Sequence, residues 1–197
     1  MLPPEISVLV SEADFDAGKE IAALSAGRSD TVGAVATFIG LVRGEEGGGP
    51  ADLSVGADET SAKPETTMLQ GGRANDALSA VACANTPSSS YSLTLEHYPA
   101  MTQAALTNIA IEAAQRWRTQ AISVIHRVGE LKDGEQIVFV GVASAHRAEA
   151  FAACEFIMDY LKTRAPFWKK ETTREGTRWI AAADTDDAAA ARWNTRK

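Results

Sequence analysis

The pattern of apolar and polar positions changes period several times along the chain, and these changes predict alternating strands and helices. Apolar, β-branched runs predict strands at residues 6–10, 34–39, 92–98, 121–128 and 137–142. Apolar residues at helical spacing predict helices at residues 15–24, 101–117 and 146–165. A short strand at 178–180 and a weak helix at 188–193 complete the pattern.

The order of these elements predicts an α+β fold. It reads β-α-β, then an interruption, then β-α-β-β-α-β. Asp133-Gly134 is a strong turn signal, so we expect antiparallel strand pairing around it. We expect the helices to pack on one side of a mixed, largely antiparallel sheet. Gly40, inside the second strand, predicts a bulge or a close backbone approach.

The interruption covers residues 44–90 and differs from the rest of the chain in composition. It has no aromatic residue, and its 47 positions include seven Gly, three Pro and six Ser, with seven acids against two bases. A packed loop of this length without secondary structure is improbable. We therefore predict a low-complexity, acidic and disordered insertion within a single domain that spans residues 1–197.

Composition narrows the protein class. The chain has 197 residues and 45% apolar residues, which suits one globular domain, and no apolar run approaches the roughly 18 residues that span a bilayer. The N-terminus lacks the features of a signal peptide, so we expect a cytoplasmic protein. A net charge of −7 argues against general nucleic-acid binding. Two cysteines and three histidines without metal-ligand spacing predict neither a disulfide framework nor a metal site.

The region 162–178 is locally basic, with six bases against two acids. Pro166 ends the preceding helix and lets the chain fold back, which could bring Lys169 near Lys162. Neighbouring cations favour a neutral amine that acts as base or nucleophile, and they also clamp a phosphate or carboxylate. The alternative is a solvated basic helix end, because lysines near a helix C-terminus favour the helix dipole.

A second group of candidates lies at the turn before this helix. Ser144 is a candidate N-cap, and His146 and Arg147 follow it. Cations are unfavourable at a helix N-terminus, which is already partly positive, unless an anion binds there. The alternative is a solvent-exposed arginine and a capping histidine. Arg43 ends the second strand, and His126, inside an apolar strand, is interpreted as a hydrogen-bonded structural residue.

Five segments in order resemble the large, catalytic subunit of molybdopterin synthase. They cover most of the chain outside the insertion and comprise TFIGLVRG (37–44), LTLEHYPAM (93–101), VIHRVGEL (124–131), IVFVGVASAHRAEAF (137–151) and MDYLKTRAPFWKKE (158–171). The resemblance implies an α/β-hammerhead-type fold. It also implies transfer of sulfur to cyclic pyranopterin monophosphate from the C-terminal Gly-Gly thiocarboxylate of a small ubiquitin-like subunit. The expected assembly is a homodimer that binds two small subunits as a heterotetramer, with no metal or bound cofactor.

The resemblance also implies roles for particular residues. Lys162 and Lys169 correspond to the catalytic lysines. The residues that correspond to the substrate pocket are Arg43, His146, Arg147, Phe38 and Met158. The long insertion departs from the family, which joins the same two strands by a short loop. Two other functions stay open, namely a scaffold that binds a ubiquitin-like protein without turnover and an enzyme that acts on another phosphorylated small molecule.

Overall fold

The computed structural model describes residues 3–28, 30–43, 91–180 and 184–195, so the prediction for residues 44–90 lies outside the described residues. The strands are β1 (Glu5–Ser11), β2 (Ala34–Leu41), β3 (Ser92–His97), β4 (Thr119–Arg127), β5 (Gly129–Lys132), β6 (Gln136–Ser144), β7 (Phe167–Thr173) and β8 (Gly176–Ile180). The helices are α1 (Ala17–Ser25), α2 (Pro99–Arg116), α3 (Arg147–Arg164) and α4 (Asp184–Ala191), followed by a 3-10 turn at Arg192–Thr195. This is the predicted α+β class. None of the helices in these ranges combines the length and apolar character needed to cross a membrane.

The first sheet has the strand order β1-β4-β6-β2 and carries the main core. β1 is parallel to β4, whereas β6 is antiparallel to both β4 and β2. Alternate residues of β4 and β6 face α2 and α3, where the largest buried side chains include Phe156, Tyr160 and Leu106. The register shifts between Gly40 and Leu41, which confirms the predicted irregularity at Gly40.

The helices lie on both faces of this sheet, so the expectation of helices on one side was wrong. Leu24 of α1 packs with Phe139 and Ala143 on the face opposite to α2 and α3. A Cβ atom at Gly141 would lie 2.5 Å from Leu24 Cδ1, so α1 approaches the sheet where a side chain is missing. The odd-numbered residues of β6 are apolar as well as the even-numbered ones, which is the pattern of a strand buried on both faces.

The second sheet has the strand order β5-β3-β7-β8, with antiparallel pairing throughout. Its inner face packs on a small apolar cluster of Val42, Leu93, Leu95 and Leu131. β8 is the exposed edge strand. Glu171, at the centre of β7, is buried and accepts a hydrogen bond of 2.6 Å from Arg178 Nε on β8.

The turn at Asp133-Gly134 does not form the predicted antiparallel pair. β5 pairs with β3 in the second sheet, whereas β6 pairs with β4 and β2 in the first. Gly134 has φ of 81° and donates its N–H to Val42 O at 2.8 Å, while Val42 N–H donates to Glu135 O. The turn is therefore anchored to the end of β2, and the chain changes sheet there.

Several element boundaries also differ from the prediction. Asp16 caps α1 by accepting a hydrogen bond from Lys19 N–H. α2 begins at Pro99, which favours the first position of a helix because its missing N–H is not needed there. β5 and β7 were not predicted. Ser144 ends β6, and the N-cap of α3 is His146.

Candidate active site

The long helix α3 sets the spacing of the predicted site residues. It follows β6 directly and packs back along it, so it runs antiparallel to that strand. Cys154 Sγ lies 3.9 Å from Val140 O, which fixes the register of helix and strand. From Cys154 to Lys162 the helix advances eight residues, or about 12 Å, and from Val140 back to Gln136 the strand covers about 13 Å. Lys162 therefore lies level with Gln136. Arg147 lies at the opposite end of the sheet.

Lys162 lies in the last turn of α3 with a half-exposed side chain. Its Nζ is 3.2 Å from Asp186 Oδ1 of α4. Met158 precedes it by one helical turn and packs partly against the main core. The apolar side of this turn is therefore fixed by packing, and the amine extends toward solvent.

Lys169 lies on β7, the strand that follows α3. The helix ends at Ala165, whose carbonyl accepts from Phe167 N–H at 2.9 Å, and the chain reverses at Pro166. Lys169 stands opposite Leu95 on β3 and opposite Ile180 on β8, with an exposed side chain. The reversal places the two lysines on consecutive elements, Lys162 in the last turn of α3 and Lys169 on β7.

Two predicted pocket residues lie on or beside β2. Phe38 is 42% exposed, although it stands in the middle of the strand. Phe38 follows Ala36 by two residues, so the two side chains lie on the same face of the strand. Ala36 is buried against α3, and Phe38 therefore points to the α3 side of the sheet. Arg43 follows Leu41 by two residues and is exposed. Leu41 pairs with Gln136, so Arg43 lies at the end of the sheet where Lys162 lies.

His146 and Arg147 lie at the start of α3, at the opposite end of this helix from Lys162. Both are exposed, and the N-cap His146 makes no side-chain capping bond. Arg147 precedes Lys162 by 15 helical residues, which corresponds to about 22 Å. Within one copy of the chain, the structure does not bring these two residues to the lysines.

The turn before α3 is held by Ser144 and Gly33. Ser144 Oγ lies 2.9 Å from Arg118 O and 3.1 Å from Glu149 Oε2, either of which can accept its single hydrogen, and it accepts from His146 N–H at 3.4 Å. Gly33 N–H donates to Ser144 O, and a Cβ atom on Gly33 would lie 2.4 Å from Ala145 O. These contacts present His146 and Arg147 outward from a rigid turn.

A ring cluster at the Lys169 end was not predicted. The His126 ring stacks on Phe167 with centroids 4.0 Å apart, and the His97 ring contacts the same phenyl ring at 6.4 Å. Burial lowers the pKa of His126 to about 4, against a smaller opposing effect of its bond to Arg127 O; the charges of Lys169 and His97 lower it further. His126 Nδ1 lies 2.8 Å from Arg127 O, so the prediction of a hydrogen-bonded histidine is confirmed, but the contact with β7 had no signal in the sequence.

The outer face of the second sheet carries exposed aromatic residues. Trp168, Trp179 and Tyr98 are 48%, 58% and 67% exposed. Tyr98 and Trp168 meet edge to face at 6.1 Å, and Lys170 Nζ lies 5.5 Å from the ring centre of Trp179. Each of these aromatic residues lies in a different segment, so only the pairing of the strands brings them onto one face.

Cys154 and the carboxylates of the described region do not add a second reactive centre. Burial, with a smaller effect from the charge of Glu155, raises the pKa of the Cys154 thiol to about 12, so it stays protonated at neutral pH. Among the described side chains, no group of three or more His, Cys, Asp or Glu residues could hold a metal ion. The predicted site residues at the Lys162 end carry two amines and the guanidinium of Arg43.

The fold and this arrangement of cations define an α+β protein with exposed basic residues at one end of the sheet-packed helix α3. Residues 82–164 match the family described as MoaE protein. The chain is 47% identical over 188 residues to a molybdopterin synthase catalytic subunit of Ralstonia nicotianae, covering 95% of this chain and 84% of the relative. It is 46% identical over 189 residues to the one of Pasteurella multocida, covering 96% and 99%. The chain belongs to the family of molybdopterin synthase catalytic subunits.

A solved structure agrees with this assignment. The molybdopterin biosynthesis MoaE protein from Burkholderia ambifaria superposes with a TM-score of 0.65 at 40% identity, and the match covers 98% of this chain and 100% of that chain. The resemblance inferred from the five sequence segments is confirmed, and so is the fold class.

Proposed function

We propose that the chain transfers sulfur to cyclic pyranopterin monophosphate from the C-terminal thiocarboxylate of a small ubiquitin-like subunit, in the cytoplasm and without a metal or bound cofactor. Membership in the family of catalytic subunits supports this reaction. The observation that carries the assignment of the site is the placement of Lys162 and Lys169 on consecutive elements that meet at Pro166, at the end of the sheet where Arg43 also lies.

The two lysines suit the sulfur-transfer step. A thiocarboxylate is an anion, and opening the cyclic phosphate of the substrate develops further negative charge. Two ammonium groups on rigid elements stabilise such charge without reorganisation, and this kind of electrostatic stabilisation is usually the largest single contribution to catalysis. Lys169 forms no ion pair with the described side chains, so its charge is available to a ligand. Phe38 and Met158 supply the apolar wall on the α3 side.

His146 and Arg147 suit the phosphate of the substrate. They combine side-chain cations with the N-terminus of α3, and both features favour an anion. Because about 22 Å separates Arg147 from Lys162 along α3, we propose that His146 and Arg147 serve the lysines of a second copy. A homodimer with two-fold symmetry would complete two equivalent sites in this way, because each copy gives its lysines and Arg43 to one site and its His146-Arg147 pair to the other.

The partner subunit has a suitable surface close to the lysines. Trp168 and Lys169 are consecutive residues on opposite faces of β7, so the exposed aromatic residues lie within one strand's thickness of the site. Exposed aromatic residues are enriched at the centres of protein interfaces. We assign this outer face to the body of the small subunit, whose Gly-Gly tail would reach Lys169. One small subunit on each copy gives the heterotetramer.

Reconstitution tests the assignment. The purified chain, the thiocarboxylated small subunit and the pterin precursor are combined, and dithiolene product is measured. Lys162→Ala and Lys169→Ala should each lower the rate by about 10²-fold or more. Lys132→Ala, which removes an exposed lysine of β5, is the matched control and should keep the wild-type rate. Wild-type rates in both lysine variants would remove these residues from the site.

The same reagents test the alternatives. Trp179→Ala should weaken binding of the small subunit, measured by calorimetry, while the pterin precursor still binds. A non-catalytic scaffold would bind the small subunit and yield no product with the wild-type chain. An enzyme for another phosphorylated molecule would bind unrelated nucleotides as tightly as the pterin precursor.

A further inference from the structure

The relative position of the two proposed catalytic lysines depends on how β7 is anchored after the reversal at Pro166. Lys169 follows Lys162 by seven positions in the sequence. Phe167 is the first residue of β7, and it stands opposite His97 across the strand pair. Lys169 follows it by two residues on the same face of the strand. A rotation or slip of β7 at Phe167 would therefore displace Lys169 directly.

Phe167 joins the second sheet to the first through one close ring contact. His126 lies near the end of β4, in the first sheet, and its ring lies 4.0 Å from that of Phe167 at an angle of 21°. The neighbouring contact, His97 to Phe167, lies within the second sheet and cannot fix one sheet against the other. The His126 ring itself is held by its bond to Arg127 O.

The chemistry of the His126 ring suits a role as a neutral platform. Burial disfavours the imidazolium form and lowers the pKa of the ring to about 4, and the charge of Lys169 makes a smaller contribution in the same direction. A charged ring at this place would repel the lysine that the site needs. The neutral ring stacks on Phe167 without adding a positive charge, and its Nδ1–H still satisfies the Arg127 carbonyl.

We propose that His126 is a positioning residue, which stacks on Phe167 and thereby sets the distance between Lys162 and Lys169. Only the expected effect of His126 on the rate of sulfur transfer rests on the proposed function. The stacking contact defines the position of β7 relative to α3, whatever reaction the lysines serve. Small displacements of reacting groups are costly, since about 1 Å can lower a rate by about 10²-fold.

The test compares variants that keep or remove the stack. His126→Ala and Phe167→Leu remove it, whereas His126→Phe and Phe167→Tyr retain two stacked rings. The kcat of sulfur transfer should fall about ten-fold or more in the first pair and stay within about three-fold of wild type in the second. The KM for the small subunit should change little in all four. Ile125→Ala is the control for lost stability, because it creates a cavity at the buried residue that precedes His126 on β4. This variant should keep the wild-type kcat.

A second readout separates positioning from general damage. A short amine-reactive cross-linker, detected by mass spectrometry, reports the distance between Lys162 and Lys169. The cross-link yield should fall in His126→Ala and Phe167→Leu and persist in His126→Phe and Ile125→Ala. If His126→Ala does not fold, the comparison of Phe167→Leu with Phe167→Tyr decides.

Two results would overturn the proposal. One is a wild-type kcat and cross-link yield in the variants that lack the stack, His126→Ala and Phe167→Leu. The other is a His126→Phe variant that is as impaired as His126→Ala, because this would assign the role to the ring nitrogens. Lys169→Ala is measured in parallel. A wild-type rate in that variant contradicts the proposed function, and the cross-link yields then still decide whether His126 positions the strand.

Discussion

The ammonium group of Lys162 lies 3.2 Å from the carboxylate of Asp186, and this contact joins the last turn of α3 to α4. The Lys162 side chain is 51% exposed and that of Asp186 24%. Ion pairs with this degree of exposure contribute little to stability, typically below about 1 kcal/mol. The apolar contacts of α4, through Ala190 and the following Trp193, hold it on the core without help from this pair.

We therefore predict that Lys162→Ala separates activity from stability. Its free energy of unfolding in urea should lie within about 1 kcal/mol of wild type, because the pair is exposed. Its sulfur-transfer rate should fall by about 10²-fold or more, because the amine is part of the site. Asp186→Asn is the control and should show the same small change in stability. A Lys162→Ala variant that unfolds several kcal/mol more easily would instead make Lys162 a structural residue.

We predict an acid-dependent loss of stability that depends on His126. Its pKa is lowered from 6.5 to about 4 in the folded chain, mainly by burial. Between these values the unfolded chain binds a proton that the folded chain does not, so stability is present above pH 6.5 and is lost as the pH falls toward 4. The loss amounts to about 3 kcal/mol.

The measurement is the free energy of unfolding of wild type and His126→Phe between pH 7 and pH 4. The phenyl ring cannot be protonated, so the wild type should lose about 3 kcal/mol more than the variant over this range. Other titrating groups affect both proteins alike and cancel in the difference. Parallel curves for the two proteins would show that folding does not lower the pKa of His126.

We predict that Gly33→Ala is destabilising although Gly33 is exposed. The added Cβ would lie 2.4 Å from Ala145 O, a backbone atom that cannot turn aside as a flexible side chain can. Relieving this overlap should cost about 1–3 kcal/mol in the free energy of unfolding. It should also weaken binding of the pterin phosphate, since the same turn presents His146. Gly18→Ala in α1 meets only the Asp16 side chain at 3.2 Å and is the control, with an expected change below about 1 kcal/mol.

The parts of the fold that the sequence predicted are those with one dominant local signal. The strands of the first sheet are apolar runs with β-branched residues, and α2 and α3 have apolar stripes. β7 was missed because FWKKETT is mostly polar and contains two adjacent lysines, which predict a surface segment when the neighbouring strands are unknown. β5 was missed because four residues give too short a pattern.

Strand partners could not be derived from the periodicity. Asp133-Gly134 is a real turn, but the two strands that flank it pair with other strands, β5 with β3 and β6 with β2 and β4. The periodicity of each strand gives no information on which of these partners it takes. Similarly, the sequence identified the lysines and the His146-Arg147 pair as candidates and could not show that α3 holds them apart. The distance between the lysines and the His146-Arg147 pair follows from the length of α3, once the two ends of this helix are known.

We predict that two inactive variants restore activity when they share a dimer. Lys162→Ala damages the site that contains its own lysines, and Arg147→Ala damages the site of the other copy. A mixed dimer of the two therefore contains one intact site and one doubly damaged site. Random mixing in equal amounts makes about half of the dimers mixed, so the activity should reach about a quarter of wild type.

The control is a mixture of Lys162→Ala with Lys169→Ala, in which each copy damages the site of its own lysines and no intact site can form. The mixtures are made by unfolding and refolding the variants together, and dithiolene product is measured after addition of thiocarboxylated small subunit. Restoration in the first mixture but not in the control is expected if the two ends of α3 serve different sites. Equal, residual activity in both mixtures would mean that His146 and Arg147 act outside the site that contains the lysines.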